Sequence, residues 1–152
     1  VGAAMRVLVS YVDGQSTTES ATSAATTVVA NVNDALNGIV TIAGTAAEDQ
    51  VLTADTSGLA DNDGLGPFHY QWQRSDGNGG FINVGLDQTT YELDDADVGA
   101  AMRVLVSCVD GNGTAESTTS AATVVVANVN DALNGAVTIA GTEKATGDLT
   151  IK

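Results

Sequence analysis

The sequence predicts an all-β protein, an antiparallel seven-stranded β-sandwich in tandem repeat, on three observations. Residues 1–45 return as residues 98–142 at a constant offset of 97, without a gap and with seven substitutions. Short apolar runs of strand length alternate with polar, glycine-rich turns. No segment sustains a helical period. A unit of 97 residues is too long for a solenoid repeat and has the size of a sandwich domain, about 100 residues.

The elements follow in order. Residues 1–30 read as the last two strands of a preceding repeat, joined through Asp13-Gly14, and residues 31–37 as a linker. A complete domain is expected over residues 38–127. Its strands are GIVTIAG (38–44), QVLTAD (50–55), FHYQWQR (68–74), FINVG (81–85), TTYEL (89–93), AMRVLVSCV (101–109) and STTSAATVVVA (117–127). Met102, Val104, Val106 and Cys108 alternate with Arg103, Leu105, Ser107 and Val109, the period of a strand with one buried face. Asp110-Gly111 marks the hairpin between the last two strands. Residues 128–135 form a second linker, and residues 136–152 begin a following, diverged repeat, with EKATGDLTIK in place of AAEDQVLTAD. The ten residues VANVNDALNG, identical at 29–38 and 126–135, are therefore junctions.

Composition narrows the function. The chain carries 19 Asp and Glu against 5 Lys and Arg, a formal charge of −14, which excludes phosphate-backbone binding as a primary role and predicts no nucleic-acid partner. Such a chain needs positive counter-charge, and oxygen-seeking Ca²⁺ is a ready source. The single cysteine, Cys108, allows no intrachain disulfide and reads as a small buried side chain, since Tyr11 holds its place in the first copy. No stretch approaches the ~20 apolar residues of a membrane span, so no membrane insertion is expected. The opening residues are not a signal peptide, and because the chain opens in mid-pattern it is expected to be a piece of something longer.

Several motifs resemble the immunoglobulin-like superfamily. Trp72 in YQWQR stands where such domains carry a core tryptophan, and DADVGAAMRVLVS is similar to the turn and strand that follow. The ordered phrases NVNDALNGIVTIAGTAAEDQVLT (31–53), LADNDGLGPFHYQWQR (59–74) and TYELDDADVG (90–99) are similar to the tandem Ig-like/cadherin-like repeats of large, type I-secreted bacterial surface adhesins. The chain departs from that pattern at Leu36 and Leu133, where the family usually has proline, and at residues 143–148. The resemblance implies an Ig-like/cadherin-like sandwich with calcium at the inter-domain junctions. Its loop geography places Glu48, Asp49, Asp94, Asp95 and Asp97 at one pole, and Asp61 and Asp63 of DNDG at the other. Asn33 and Asp34 lie in the first linker, and Asn130 and Asp131 in the second. Ca²⁺ takes six to eight oxygens, so ligands from three converging segments suit it. The plainer reading stays open: Asp and Asn also cap turns.

Other chemistry is weakly represented, and no enzyme is expected. His69, the only histidine, stands beside Tyr70 without a nucleophile pattern near it. Gly77, Gly79 and Gly80 lie between strands and not in a phosphate-cradling strand–helix turn. Zinc is disfavoured by one His and one Cys. A Lys–Asn isopeptide bond lacks a lysine within the full repeat, Lys144 and Lys152 lying in the tail. Asn112-Gly113-Thr114 is a glycosylation sequon absent from the first copy. Three functional expectations result. The first is a structural spacer in the stalk of a bacterial cell-surface adhesin, extracellular, partnered by identical repeats in the same chain or fibre and stiffened by Ca²⁺. The second is a self-assembling surface filament or layer, with strand pairing to another copy through the exposed edges of residues 1–30. The third is a carbohydrate-binding module using Tyr70, Trp72 and Tyr91.

Overall fold

The computed structural model of the chain describes residues 1–138, 140 and 141. The diverged stretch expected from residue 143 on, with Lys144 and Lys152, lies outside the described residues. Nine strands are present among them: β1 (Leu8–Val12), β2 (Thr18–Thr22), β3 (Thr41–Ala43), β4 (Val51–Asp55), β5 (His69–Ser75), β6 (Phe81–Val84), β7 (Thr90–Glu92), β8 (Met102–Val109) and β9 (Ala115–Thr119). A single 3₁₀ turn, Asp95–Asp97, precedes β8. All strand pairs are antiparallel. They form a two-stranded sheet β1-β2, a three-stranded sheet β3-β4-β7 and a four-stranded sheet β6-β5-β8-β9.

The two larger sheets share one core, the arrangement of a β-sandwich. β4 contributes Leu52 and Ala54, every second residue, and β8 contributes Met102, Val104, Val106 and Cys108. Period-2 spacing turns these side chains to one face while Arg103, Leu105 and Ser107 stay half-exposed. Trp72 of β5 is fully enclosed at the centre. Its ring lies tilted against Tyr91 at 5.7 Å, and its indole N–H donates to the Gln88 carbonyl at 3.0 Å, so burial leaves no polar atom unpaired there.

Repetition in sequence becomes repetition in structure. β1 pairs with β2 in the register of β8 with β9: Leu8 opposes Thr22 as Leu105 opposes Thr119. Asp13 Oδ1 accepts from the Gln15 and Thr17 amides, and Asp110 Oδ1 accepts from those of Asn112 and Thr114. Burial differs completely. Met5 and Val9 are 61% and 59% exposed, whereas their counterparts Met102 and Val106 are 0% exposed. Identical side chains are thus covered by Trp72 and its neighbours in one copy and bare in the other.

One strand departs from expectation. The run 117–127 does not form a continuous strand: β9 ends at Thr119, and residues 125–127 make isolated bridges to Ala101, Val98 and Ala47. Side-chain hydroxyls cause the break. Ser120 Oγ accepts from the Val104 amide and Thr123 Oγ1 from the Met102 amide, each at 3.0 Å, so hydroxyls replace carbonyls along the β8 edge. Ser23 and Thr26 do the same for Val7 and Met5. The chain is thereby redirected, and Ala127 reaches Glu48, whose amide donates to its carbonyl at 2.9 Å.

Because Trp72 is the only tryptophan and is fully enclosed, its emission should be blue-shifted and shielded from acrylamide. Trp72→Ala should cost about 3–5 kcal/mol in chemical denaturation. Emission typical of solvated indole in the native protein would contradict this core.

Candidate metal centre

Three segments meet at the pole formed by the β3–β4 loop, the β7–β8 turn and the linker after residue 127. Glu48 lies in the first, Asp95 in the second and Asp131 in the third. One carboxylate oxygen of each falls within 4.8 Å of the others, the span of oxygens that share one cation at about 2.3–2.6 Å. Local sequence sets up the meeting. Asp49 takes a left-handed backbone (φ 62°), turning the chain so that Glu48 points inward and is only 2% exposed. Asp94 caps the 3₁₀ turn, its Oδ1 accepting from the Ala96 amide at 2.9 Å, which holds Asp95 outward. The Val129 amide donates to Glu48 Oε2 at 3.0 Å and ties the linker to the loop.

The electrostatics of this cluster are unfavourable without a cation. Direct carboxyl–carboxyl contact with Asp95 raises the Glu48 pKa most; burial and the charges of Asp95 and Asp131 add to it, against the lowering effect of the Val129 amide. Three acidic groups so placed need a shared proton or a metal ion. All the donors are hard oxygens, and two of the three residues are exposed, so water can complete a coordination shell. That set fits Ca²⁺, with its flexible geometry, better than Mg²⁺, which demands a near-ideal octahedron, or Zn²⁺, which favours nitrogen and sulfur.

Not every sequence-predicted residue joins the cluster. Asp49, Asp94, Asp95 and Asp131 line one shallow depression with Ala96, so Asp49 borders the site. Asn130 is exposed, and its side chain turns to the Asp131 carbonyl at 3.2 Å. Asp97 is a correction: it is fully buried and faces the core side. Its Oδ1 accepts from Arg74 Nη1 at 3.1 Å and from the Tyr91 hydroxyl at 3.3 Å, and its Oδ2 from the Asp94 amide at 3.1 Å. With both oxygens taken it fastens the 3₁₀ turn to β5. Burial foremost, with the Asp97 charge and hydrogen bond, pushes the Tyr91 hydroxyl up to about 12.

At the opposite pole the first linker lies against the β4–β5 loop and the β8–β9 turn. Asp63 serves there as an anchor. Its Oδ2 accepts from the Asp34 amide at 2.9 Å and from Asn31 Nδ2 at 3.3 Å, and its Oδ1 from Asn112 Nδ2 at 2.9 Å. Asp34 thus contributes its amide to this contact. Asn33 Nδ2 donates to Glu116 Oε1 at 2.8 Å, and the Leu36 amide to Glu116 Oε2 at 2.5 Å. Asp61 Oδ1 accepts from the Asp63 amide at 2.7 Å. Gly111 packs where any side chain would strike the Asp63 carbonyl, which seats the two loops together. Sequence reasoning passed over Glu116 and Asp110. The available signal for Glu116 was strand register, which sets it opposite Cys108 at the end of β8.

No protein-family model and no curated protein matches the chain.

The raised Glu48 pKa fixes a pH dependence. A folded state that binds its proton more tightly than the unfolded chain gains stability as pH falls, so metal-free protein should melt at higher temperature as the pH is lowered from 7 toward the carboxylate range. The carboxyls held low, Asp55, Asp76, Asp87 and Asp110, lose their contribution only below about pH 4. Saturating Ca²⁺ should weaken the trend, and Glu48→Gln should reduce it, with Asp61, whose pKa is also raised by burial and by Glu116, keeping a share. A melting temperature independent of pH in metal-free protein would contradict the cluster.

Proposed function

We propose that the chain is a structural spacer, part of the extracellular stalk of a bacterial cell-surface adhesin built from tandem Ig-like/cadherin-like repeats, with Ca²⁺ at the inter-domain junctions. The observation that carries this reading is the convergence of Glu48, Asp95 and Asp131 from two loops and a linker. A cation there ties the linker to the domain behind it.

The offset of 97 makes the two linkers equivalent in sequence. Asp131 is the counterpart of Asp34, and Asn130 of Asn33. The second linker directs its aspartate carboxylate backward to Glu48 and Asp95, while the first directs its Asp34 and Leu36 amides and its Asn33 side chain forward. Superposed by the repeat, the two halves use different atoms of the same residues. One linker can therefore engage both neighbours at once, and the seven strands β3–β9 make the repeating body between two such joints. Near-identical repeats suit a role in which length and spacing are the product.

The carbohydrate-platform alternative loses its centre, because Trp72 is enclosed. Strand pairing with another copy keeps one supporting observation, the bare apolar face of Met5, Val7 and Val9.

Solution scattering of a three-repeat chain tests the stalk. Calcium should give the larger maximum dimension, and chelation should shorten and broaden the distance distribution as charge repulsion and the freed linkers let the domains swing. The Asp95→Asn variant should match the chelated profile with or without calcium. Superimposable wild-type profiles in both conditions would contradict stiffening.

A further inference from the structure

We infer that Asn134-Gly135 is a self-modification site, at which the chain converts Asn134 to aspartate or isoaspartate through a succinimide, while the identical pair Asn37-Gly38 is spared by its seat on the β4–β5 loop. The reaction needs no metal ion and is separate from the junction chemistry above.

The chemistry belongs to asparagine followed by glycine. The glycine backbone nitrogen gives up its proton to solvent base and attacks the asparagine Cγ; a C–N bond forms and ammonia leaves. Water then opens either carbonyl of the ring, so ammonia is lost, water is gained and no oxidant or reductant takes part. Ring closure requires the peptide to swing its nitrogen onto the preceding side chain. Glycine lacks the Cβ that would obstruct the swing, and its backbone is the least restricted. Whether the folded structure holds the peptide still then decides the rate.

Four such pairs occur in the chain, at Asn37, Asn78, Asn112 and Asn134. Asn37 and Asn134 share the context Ala-Leu-Asn-Gly, but their structures differ. Asn37 is bridged to Ala60 in both directions: its amide donates to the Ala60 carbonyl at 2.8 Å, and its carbonyl accepts from the Ala60 amide at 2.9 Å. Gly38 packs where any side chain would strike the Gly58 carbonyl, which leaves its peptide no room to turn. Asn134 and Gly135 are exposed and make no backbone hydrogen bond among the described residues. Nothing described lies within 4 Å of where a Gly135 Cβ would stand. The other two pairs are held. The Gly113 nitrogen, the atom that would attack, already donates to the Asp110 carbonyl at 3.2 Å, and Asn112 Nδ2 donates to Asp63. Asn78 sits in a turn closed by Asp76, whose Oδ1 accepts from the Asn78 and Gly80 amides at 2.8 Å each.

The product matters because of its place. A new carboxylate, three residues beyond Asp131, adds negative charge to a chain already at −14, on the linker that carries Asp131 to Glu48. The isoaspartyl form also inserts a methylene into the backbone there. Seating of a linker on the loop ahead of it, as at Asn37, prevents the reaction, so the modification records which junctions are seated.

Peptide mapping by mass spectrometry, after incubation of the whole chain at neutral pH in chelator, tests this. Aspartate and isoaspartate should accumulate at Asn134 at least about tenfold faster than at Asn37, with Asn78 and Asn112 also behind. In denaturant, where the bridges to Ala60 are gone, Asn37 should approach the Asn134 rate. Gly135→Ala should slow conversion of Asn134. Ala60→Pro, which lacks the amide that donates to Asn37, should speed conversion of Asn37, with shielded Trp72 emission certifying its folding. An unconverted Asn134, equal native rates at Asn37 and Asn134, earlier conversion of Asn78 or Asn112, or an Asn37 as slow in denaturant as in the folded chain overturns the inference.

Discussion

Like charges held in contact need a counter-charge, and that constraint governs both ends of this molecule. Glu48 meets Asp95 and Asp131 at one pole, and Asp61 meets Glu116 at the other. In water such pairs repel weakly, but partial burial strengthens the repulsion. Hydrogen bonds from the linkers offset part of it. The rest falls to a proton or a cation.

The body between the poles supplies the rigidity that makes this placement possible. β4 and β8 interleave Leu52, Ala54, Met102, Val104 and Val106 around Trp72, and the loops at either end inherit their positions from that packing. Arg74 and Asp97 act at the seam between core and pole: their ion pair pins the turn that presents Asp95. Asp97 is the fully buried member, so removing Arg74 would leave its charge uncompensated. The pair's contribution is to geometry, since the turn would otherwise be free to carry Asp95 away from Glu48.

Much of this was legible in the sequence where periodicity speaks. Alternation in AMRVLVSCV placed β8 and its buried face, and the offset of 97 foretold that β1-β2 repeats the register of β8-β9. Asp97 was misread because a loop aspartate looks the same whether it faces solvent or an arginine; Arg74, the one cation in YQWQR, was the available clue. Glu116 was invisible for a different reason. It is a lone acid in a polar edge strand, and only the register against Cys108 carries it to the pole. The break after Thr119 escaped because Ser120 and Thr123 satisfy the neighbouring strand through hydroxyls, which alternation cannot reveal.

The proposed stalk requires a cation at the Glu48 pole. Crystals grown in calcium and measured at long wavelength address it directly. An anomalous peak is expected about 2.3–2.6 Å from oxygens of Glu48, Asp95 and Asp131, with the Glu48–Asp95 contact opened around it. An intact Glu48–Asp95 contact with no peak beside it, in saturating calcium, would contradict it.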